Sequence, residues 1–297
     1  MSKIKFLEYL EFEKNYSPKT IESYTNDLNA FETFCEIETG LKSISEADKT
    51  HLRNFIMRLS ENGLSERSIN RKISTLKSYY KFLLKIGELE ISPASFLRTL
   101  KSRNKAQIPF SEDELNKVLD SGLFENNKQP IMEKLIIEML YQTGIRRMEL
   151  IGLKISDVDF NQNQIKVLGK RNKERVIPFN ENLAGQLKQY LEMRNEKFPE
   201  RKDLLFLTEK GNPLYDKLVY KIVNSYLSQV STKQKKSPHI LRHSFATHLL
   251  NHGAELNAVK ELLGHSSLAA TQIYTHGSIE QLKKVFNQAH PRELINK

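Results

Sequence analysis

The segment 237–243 contains residues of the kinds that bind a phosphate group. Ser237 and Pro238 predict a helix start, since a hydroxyl at the N-cap and a proline at the first helical position are typical of helix N-termini. His239 would then lie in the first turn, with Arg242 three residues later on the same face. Free backbone N–H groups and the positive end of the helix dipole also favour an anion there. The alternative for this pair alone is a histidine and an arginine on a solvated helix face.

Two segments upstream contain further candidates. Arg146 follows a predicted helix stop at 143–144, and Glu149 lies three residues later, where its carboxylate is suited to orient Arg146. The turn at 168–175 is strongly basic and would project between two strands, from where it could reach a DNA groove. The basic residues of this turn are Lys170, Arg171, Lys173 and Arg175.

Two downstream residues complete the set. Gly264 predicts the end of a helix, and His265 follows it directly. Tyr274 lies nine residues after His265. A tyrosine hydroxyl can attack a phosphodiester, but its ordinary pKa of about 10 means that it needs help to lose its proton at neutral pH. The alternative for Tyr274 is a half-buried packing residue, as an average tyrosine is.

Taken together, these residues resemble the tyrosine recombinases, the phage-integrase family, and most closely its bacterial Xer-type site-specific recombinases. The likeness extends to Ser17-Pro18-x-Thr20 and to the segment 241–248, so it covers essentially the whole chain. A His-x-x-Arg pair and a tyrosine would be common by chance, whereas six ordered positions in matching local contexts are not. The six positions are Arg146, Lys170, His239, Arg242, His265 and Tyr274.

The resemblance implies an enzyme that cuts and rejoins DNA strands by transesterification, without metal, ATP or another cofactor. Tyr274 would attack the phosphodiester and form a 3′-phosphotyrosine, which stores the energy of the broken bond. The 5′-hydroxyl of the acceptor strand would then attack this ester. Protonation of the departing 5′ oxygen by Lys170 is implied by the resemblance.

The other four positions would serve the transition state, whose nonbridging oxygens carry extra negative charge. Arg146 and Arg242 would bind those oxygens with paired, charge-assisted hydrogen bonds, and His265 would add another donor. His239 is placed to assist the deprotonation of the tyrosine. Glu149 is expected to support Arg242 or His239 without reacting.

The elements that must position these residues predict a mainly α fold with a small antiparallel β-sheet, an α+β protein. Residues 1–100 show helical periodicity with about four helices and are interpreted as an N-terminal helical, SAM-like, core-binding DNA domain. Residues 110–297 are interpreted as the catalytic tyrosine-recombinase domain, with the sheet across 153–180. The polar stretch 101–109 is predicted to be the linker, and three of its residues, Lys101, Arg103 and Lys105, are expected to contact DNA.

Charge and composition agree with a polyanionic partner. The 297-residue chain carries 46 Lys and Arg against 36 Asp and Glu, a net charge of +10. Residues 1–100 hold 15 basic and 14 acidic residues, so the excess lies in residues 101–297. We therefore expect duplex DNA as the partner. A single cysteine and no signal-peptide pattern predict a cytoplasmic, nucleoid-associated protein, and no apolar run approaches the roughly 18–20 residues that span a bilayer.

The resemblance also implies an assembly. Four protomers would form a ring on two DNA sites, either with themselves or with a paralogous recombinase, and a DNA translocase is a candidate activator. The last predicted helix, which Ser278 would cap, has an apolar stripe that could pack on its own domain, although the resemblance favours docking on a neighbouring protomer. The stripe consists of Ile279, Leu282, Val285 and Phe286.

Three other functions share parts of this pattern. The integrase of a mobile element would have the same catalytic set, although the helical unit here begins within the first ten residues and leaves no room for an added arm-binding domain. A type IB topoisomerase is a more distant relative in mechanism. A non-enzymatic DNA-binding regulator would explain the charge, but not the joint presence of the six positions. The minimal layout favours an Xer-type enzyme that resolves chromosome dimers at cell division.

Overall fold

The computed structural model describes residues 2–101, 107–125, 129–169, 173–201, 203–264 and 276–294. The chain forms two compact units, Met1–Lys105 and Ala106–Lys297, called here the N-terminal unit and the C-terminal unit. The division falls inside the stretch 101–109. Over the ranges given above, none of the helices has the length and apolar character that crossing a membrane would require.

The N-terminal unit is helical. Its described helices are α1 (Ser2–Glu8, continued by one π-helical turn, Tyr9–Glu13), α2 (Pro18–Thr39), α3 (Lys49–Glu61) and α4 (Glu66–Lys85). Helix α2 begins where the sequence predicts, because the Ser17 hydroxyl accepts a hydrogen bond from the backbone N–H of Thr20 at 3.3 Å. The buried carboxylate of Asp27 on α2 accepts hydrogen bonds from Lys72 and Thr75 of α4, each at 2.9 Å, and so ties the two helices together.

The C-terminal unit is mainly helical, with one small sheet. Its helices are α5 (Glu112–Asp120), α6 (Pro130–Thr143), α7 (Arg147–Gly152), α8 (Glu181–Lys197), α9 (Asp216–Val230), α10 (Pro238–Asn251), α11 (Leu256–Leu263), α12 (His276–Ala289) and α13 (Pro291–Leu294). Helix α6 is the most buried of the long helices, since every described residue from Leu135 to Thr143 is inaccessible to solvent. It packs against α10, which carries two of the candidate catalytic residues.

The sheet has three antiparallel strands, β1 (Val158–Asp159), β2 (Gln164–Leu168) and β3 (Glu174–Pro178), in the order β1-β2-β3. Residues opposite each other in an antiparallel pair lie on the same face, and the register pairs Ile165 with Ile177 and Val167 with Arg175. All four side chains are buried. The register therefore places Arg175 on the core face of the sheet.

Helix α12 packs within its own unit. It starts at His276, so Ser278 lies inside the helix rather than at its N-cap. Leu282 and Phe286 are buried in the same apolar cluster as Phe245 of α10. In this chain these two residues of the stripe therefore pack on their own domain, the alternative to docking on a neighbouring protomer. A truncation that ends the chain before Ser278 would remove Leu282 and Phe286 from the core of the C-terminal unit. Such a variant would lose stability as well, so it could not test assembly alone.

Candidate active site

Arg146 is positioned by a tight turn between two helices. Helix α6 ends at Gly144, whose φ of +58° lies in the left-handed region that glycine adopts without strain. A Cβ atom at this position would lie 2.4 Å from Cδ1 of Phe245, so only glycine allows the turn to pack directly on α10. Arg146 then occupies the N-cap of α7, with a quarter of its side chain exposed.

Arg242 lies on α10 one turn after its start and is 9% exposed. Its guanidinium donates hydrogen bonds to the carbonyl oxygens of Gly144 and Leu263. Burial, together with the positive charges of Arg146 and Arg175, lowers the pKa of Arg242 to about 9. The side chain therefore remains protonated at neutral pH, and an anion bound beside it would stabilise its charged form.

Three arginines converge on the C-terminal end of α11. Arg175 Nε donates to the carbonyl of Leu262 at 2.8 Å, Arg242 donates to Leu263, and Arg146 Nη2 donates to Gly264 at 3.1 Å. The last carbonyls of a helix have no partner within it and carry the negative end of its dipole. The end of α11 is thus an anchor for all three guanidinium groups.

Glu149 is the carboxylate of this cluster and joins two of the arginines. Its Oε1 accepts from Arg146 Nη1 at 2.7 Å and Arg175 Nη1 at 2.9 Å, and its Oε2 accepts from the Arg146 backbone N–H at 2.7 Å and Arg175 Nη2 at 2.8 Å. Burial alone would raise the pKa of Glu149, but the hydrogen bonds and charges of Arg175 and Arg146 outweigh it and hold the pKa at about 2. Glu149 is therefore ionised at every physiological pH.

The arginine cluster, defined as Arg146, Arg175, Arg242 and Glu149, contains three positive charges and one negative charge. Its cationic excess is partly open to solvent, because the side chain of Arg146 is 25% exposed while those of the other three are nearly buried. A phosphate diester carries the complementary charge and offers oxygens that match the fork of a guanidinium. The cluster is thus a candidate site for a phosphate.

His239 lies in the first turn of α10, as the sequence predicts, and is exposed. Partial burial of the ring and the charges of Arg147, Arg242 and Arg146 lower its pKa below the usual value. The imidazole is therefore largely neutral at pH 7 and able to accept a proton. His239 and the two candidate catalytic arginines are close enough for their charges to interact.

Two predicted roles in this region need correction. Arg175 was expected to contact DNA from an exposed turn, but it is 3% exposed and paired with Glu149, because its place in the strand register turns it inward. The alternation of Arg175 with Ile177 and Phe179 was the signal in the sequence for this orientation. Glu149 accepts from Arg146, the arginine that its spacing is suited to orient, and from Arg175, whereas the expected support of Arg242 or His239 is not among its described hydrogen bonds.

Several predicted site residues lie outside the residues that the structure describes. They are Arg103, Lys105, Lys170, Arg171, His265 and Tyr274. The neighbouring Lys101 and Lys173 are described, and both are exposed.

The other histidines of α10 hold the segment that enters the C-terminal unit. His243 Nε2 donates to the Gln107 carbonyl at 3.0 Å, and His252 Nε2 lies 2.8 Å from a carboxylate oxygen of Glu112. The buried His248 donates from Nε2 to the Phe110 carbonyl at 2.9 Å, and its Nδ1 accepts from a tyrosine hydroxyl. These hydrogen bonds give His243 and His248 structural positions in the unit. Helix α10 thus carries candidate catalytic residues and also fixes residues 107–112.

A basic face of α9 was missed by the sequence reasoning. Lys217, Tyr220 and Lys221 are exposed on it, and Asn224 donates to the Lys236 carbonyl at 3.0 Å, which holds the loop before α10 against α9. Lys235 of that loop is also exposed. The i, i+4 spacing of two lysines beside an exposed tyrosine was the available signal, because such faces are typical of nucleic-acid contacts.

The buried histidines of this unit lead to a prediction on pH. His248 has a lowered pKa because it is buried, and full burial near Arg292 lowers the pKa of His290 to about 3. The unfolded chain, with histidine pKa values near 6.5, therefore binds more protons than the folded chain below pH 6.5. We expect stability to be complete above pH 6.5 and to be lost progressively as the pH falls towards the folded pKa values. Thermal unfolding of the C-terminal unit at pH 7.5, 6.5 and 5.5 measures this effect.

The control for this prediction is a matched pair of variants. His290→Gln removes a buried titrating ring, and the fall in melting temperature between pH 7.5 and 5.5 should become smaller. His51→Gln removes a histidine from the N-terminal unit, and the fall for the C-terminal unit should be unchanged. Equal falls for the wild type and His290→Gln would contradict the assignment.

Comparison with known proteins covers both units. Residues 4–87 match the family model described as the phage integrase N-terminal SAM-like domain, and residues 109–281 match the model of the phage integrase family. Tyrosine recombinase XerC of Chlorobaculum tepidum is 37% identical, with 97% of this chain and 93% of the relative covered. Tyrosine recombinase XerC of Bacillus subtilis is 38% identical, with 97% and 95% covered.

A solved structure agrees in fold. The XerH site-specific recombinase bound to a palindromic difH substrate, in a post-cleavage complex, is 25% identical with a TM-score of 0.70, covering 96% of this chain and 84% of that one. The fold class expected from the sequence, a mainly helical protein with a small antiparallel sheet, is confirmed. With two family models matched along its length and full-length relatives above 30% identity, the chain belongs to the phage integrase family of tyrosine recombinases.

Proposed function

We propose that this protein is a site-specific DNA recombinase that cuts and rejoins strands through a 3′-phosphotyrosine formed on Tyr274. The observation that carries the proposal is the arginine cluster, in which Arg146 and Arg242 are fixed on the same helix end, with a cationic excess and a neutral His239 nearby. Such an arrangement stabilises a pentacoordinate phosphate without moving in the reaction. The XerC relatives and the XerH structure support the same activity.

Each residue of the site has a role in this proposal. Arg146 and Arg242 bind the nonbridging oxygens, whose charge rises in the transition state. His239 accepts or relays the proton of the attacking hydroxyl. The family pattern assigns a further donor to His265 and the protonation of the leaving 5′ oxygen to Lys170.

The cellular role and the assembly extend this proposal. We infer a tetramer on two DNA sites, formed by copies of this chain or together with a paralogous recombinase, and activated by a DNA translocase. Its task would be to resolve chromosome dimers at cell division, and it would act in the cytoplasm at the nucleoid. The identity to XerC proteins over nearly the whole chain supports this role over that of a mobile-element integrase.

A covalent trap tests the activity directly. The protein is expressed in its own cell, DNA–protein adducts are isolated under denaturing conditions, and the attached DNA is sequenced. A nicked duplex of the recovered sequence then serves as a suicide substrate, since loss of the short cut fragment prevents religation. The proposal expects an adduct through Tyr274 on one recurrent chromosomal site. An attachment site of a mobile element would instead indicate an integrase, and the absence of any adduct would indicate a non-enzymatic DNA-binding protein.

The basic face of α9 leads to a prediction on salt dependence. If Lys217 and Lys221 neutralise DNA phosphates, the slope of log K against log salt should contain about −0.9 for each of them. The double variant Lys217→Gln and Lys221→Gln is therefore expected to weaken binding and to make the slope shallower by about 2. Binding is measured by fluorescence anisotropy on the recovered half-site at several salt concentrations.

Lys166→Gln is the control for this measurement. Lys166 is an exposed lysine already paired with Glu174 at 2.7 Å, so the salt slope should hardly change. A slope unchanged in the α9 double variant would remove this face from the DNA contacts, and an affinity independent of salt in the wild type would remove duplex DNA as the main partner.

A further inference from the structure

Among the described residues, the guanidinium of Arg175 makes three hydrogen bonds, one more than the guanidinium of either candidate catalytic arginine. It forms two of them with the carboxylate of Glu149 and the third with the carbonyl of Leu262, all between 2.8 and 2.9 Å. Arg175 is 3% exposed, so it cannot contact DNA itself. The same side chain joins β3, α7 and the end of α11.

The bonds to Glu149 determine how Arg146 is held. Each oxygen of Glu149 accepts one hydrogen bond from Arg146 and one from Arg175, so the carboxylate is shared equally between them. Without Arg175, two acceptor sites of a nearly buried carboxylate would lose their donors. Glu149 would then be held by Arg146 alone, and the orientation of Arg146 would be less firmly fixed.

Two glycines lie next to the side chain of Arg175, where a larger residue would contact it. A Cβ atom on Gly264 would lie 3.0 Å from Cδ of Arg175, and one on Gly169 would lie 3.5 Å from its Nη1. Gly264 ends α11, and the chain continues from there directly to His265. Gly169 closes the β2–β3 turn through its N–H bond to the Lys173 carbonyl at 2.7 Å.

We propose that Arg175 is a positioning residue for DNA cleavage. Through Glu149 it fixes the guanidinium of Arg146, and through the Leu262 carbonyl it fixes the end of α11, on which Arg146 and Arg242 are also anchored. This inference rests on the proposed recombinase activity. It assigns to Arg175 a function in the chemical step rather than in DNA binding or in general stability.

Geometry explains why another cation would not suffice. A lysine at position 175 would keep the positive charge, but its single ammonium cannot make a forked contact with Glu149 and reach Leu262 at once. The reacting groups would then be displaced, and a displacement of about 1 Å costs on the order of 100-fold in rate. We therefore expect Arg175→Lys to bind DNA normally and to cleave it slowly.

The test compares Arg175→Lys with Arg194→Lys. Arg194 is an equally buried arginine of the same unit, 4% exposed, which donates to the backbone carbonyls of Arg201 and Leu204, away from the cluster. For each variant we would measure the melting temperature, the affinity for the recovered half-site, and the rate of adduct formation on the nicked duplex at saturating DNA. Glu149→Gln keeps the shape of the side chain and removes its charge, so it tests the contact between Arg175 and Glu149 from the other partner.

The expected result is a reduction in cleavage rate of at least about 10-fold for Arg175→Lys and Glu149→Gln, with half-site affinity within about threefold of the wild type. The double variant should be no slower than the slower single variant, because the two residues act as one unit. Arg194→Lys should lower the melting temperature and leave the rate nearly unchanged. The inference is overturned if Arg175→Lys cleaves as fast as Arg194→Lys while the wild type forms an adduct. If the wild type forms none, the proposed function itself fails.

Discussion

Replacing Tyr274 with phenylalanine is expected to abolish the covalent adduct while leaving DNA binding within about twofold of the wild type. The substitution removes the attacking oxygen and keeps the ring, so shape and packing are preserved. Without a nucleophile the phosphodiester cannot be transferred to the protein, however well the arginine cluster binds it. The adduct is measured on denaturing gels with the nicked duplex, and binding is measured on the intact half-site.

Tyr215→Phe is the control for this substitution. Tyr215 is an exposed tyrosine of the same unit at the N-cap of α9, and its loss should leave adduct formation unchanged. If Tyr274→Phe still formed an adduct at the wild-type yield, another tyrosine would be the nucleophile. A loss of binding together with the adduct would instead indicate a packing role for Tyr274.

Local features of the site could be predicted from the sequence. The start of α10 at Ser237-Pro238 and the turn at Gly144 depend on residues close in sequence, and both lie where the pattern placed them. His239 and Arg242 consequently fall on one face of α10. Short-range signals of this kind are read correctly because each is decided by a few backbone hydrogen bonds.

The partners of the arginines could not be predicted in the same way. Arg146 reaches a carbonyl 118 positions away, and Arg175 reaches one 87 positions away. Such contacts depend on how α7, β3 and α11 pack, which no local pattern encodes. The charge of Arg175 was therefore interpreted as a surface feature, although the strand alternation already indicated an inward side chain. The packing partner of the apolar stripe of α12 could not be predicted either, because a stripe shows that a helix packs but not against which molecule.

Replacing Arg146 or Arg242 with alanine is expected to reduce the rate of adduct formation by about 10²–10³, with half-site binding largely retained. Each arginine supplies donors to oxygens whose charge rises only in the transition state, so its loss affects the chemical step more than the binding step. Rates are measured on the nicked duplex at saturating DNA, and affinities by anisotropy at one fixed salt concentration.

Lysine at these two positions should restore little of the rate, for a reason that differs between them. At position 146 a lysine would keep the charge but could not contact Glu149, Gly264 and a phosphate oxygen together. At position 242 the side chain is nearly buried and bound to two backbone carbonyls, so a lysine would also leave at least one of these acceptors without its donor.

We therefore expect Arg242→Lys to lower the melting temperature of the C-terminal unit more than Arg146→Lys does, while both variants cleave slowly. The two effects separate anchoring from transition-state stabilisation, because Arg146 is partly exposed and Arg242 is not. Arg194→Lys again serves as the control for a buried arginine outside the cluster. Full cleavage activity with lysine at both positions would show that a point charge is enough, and the forked contact proposed for the transition state would be wrong.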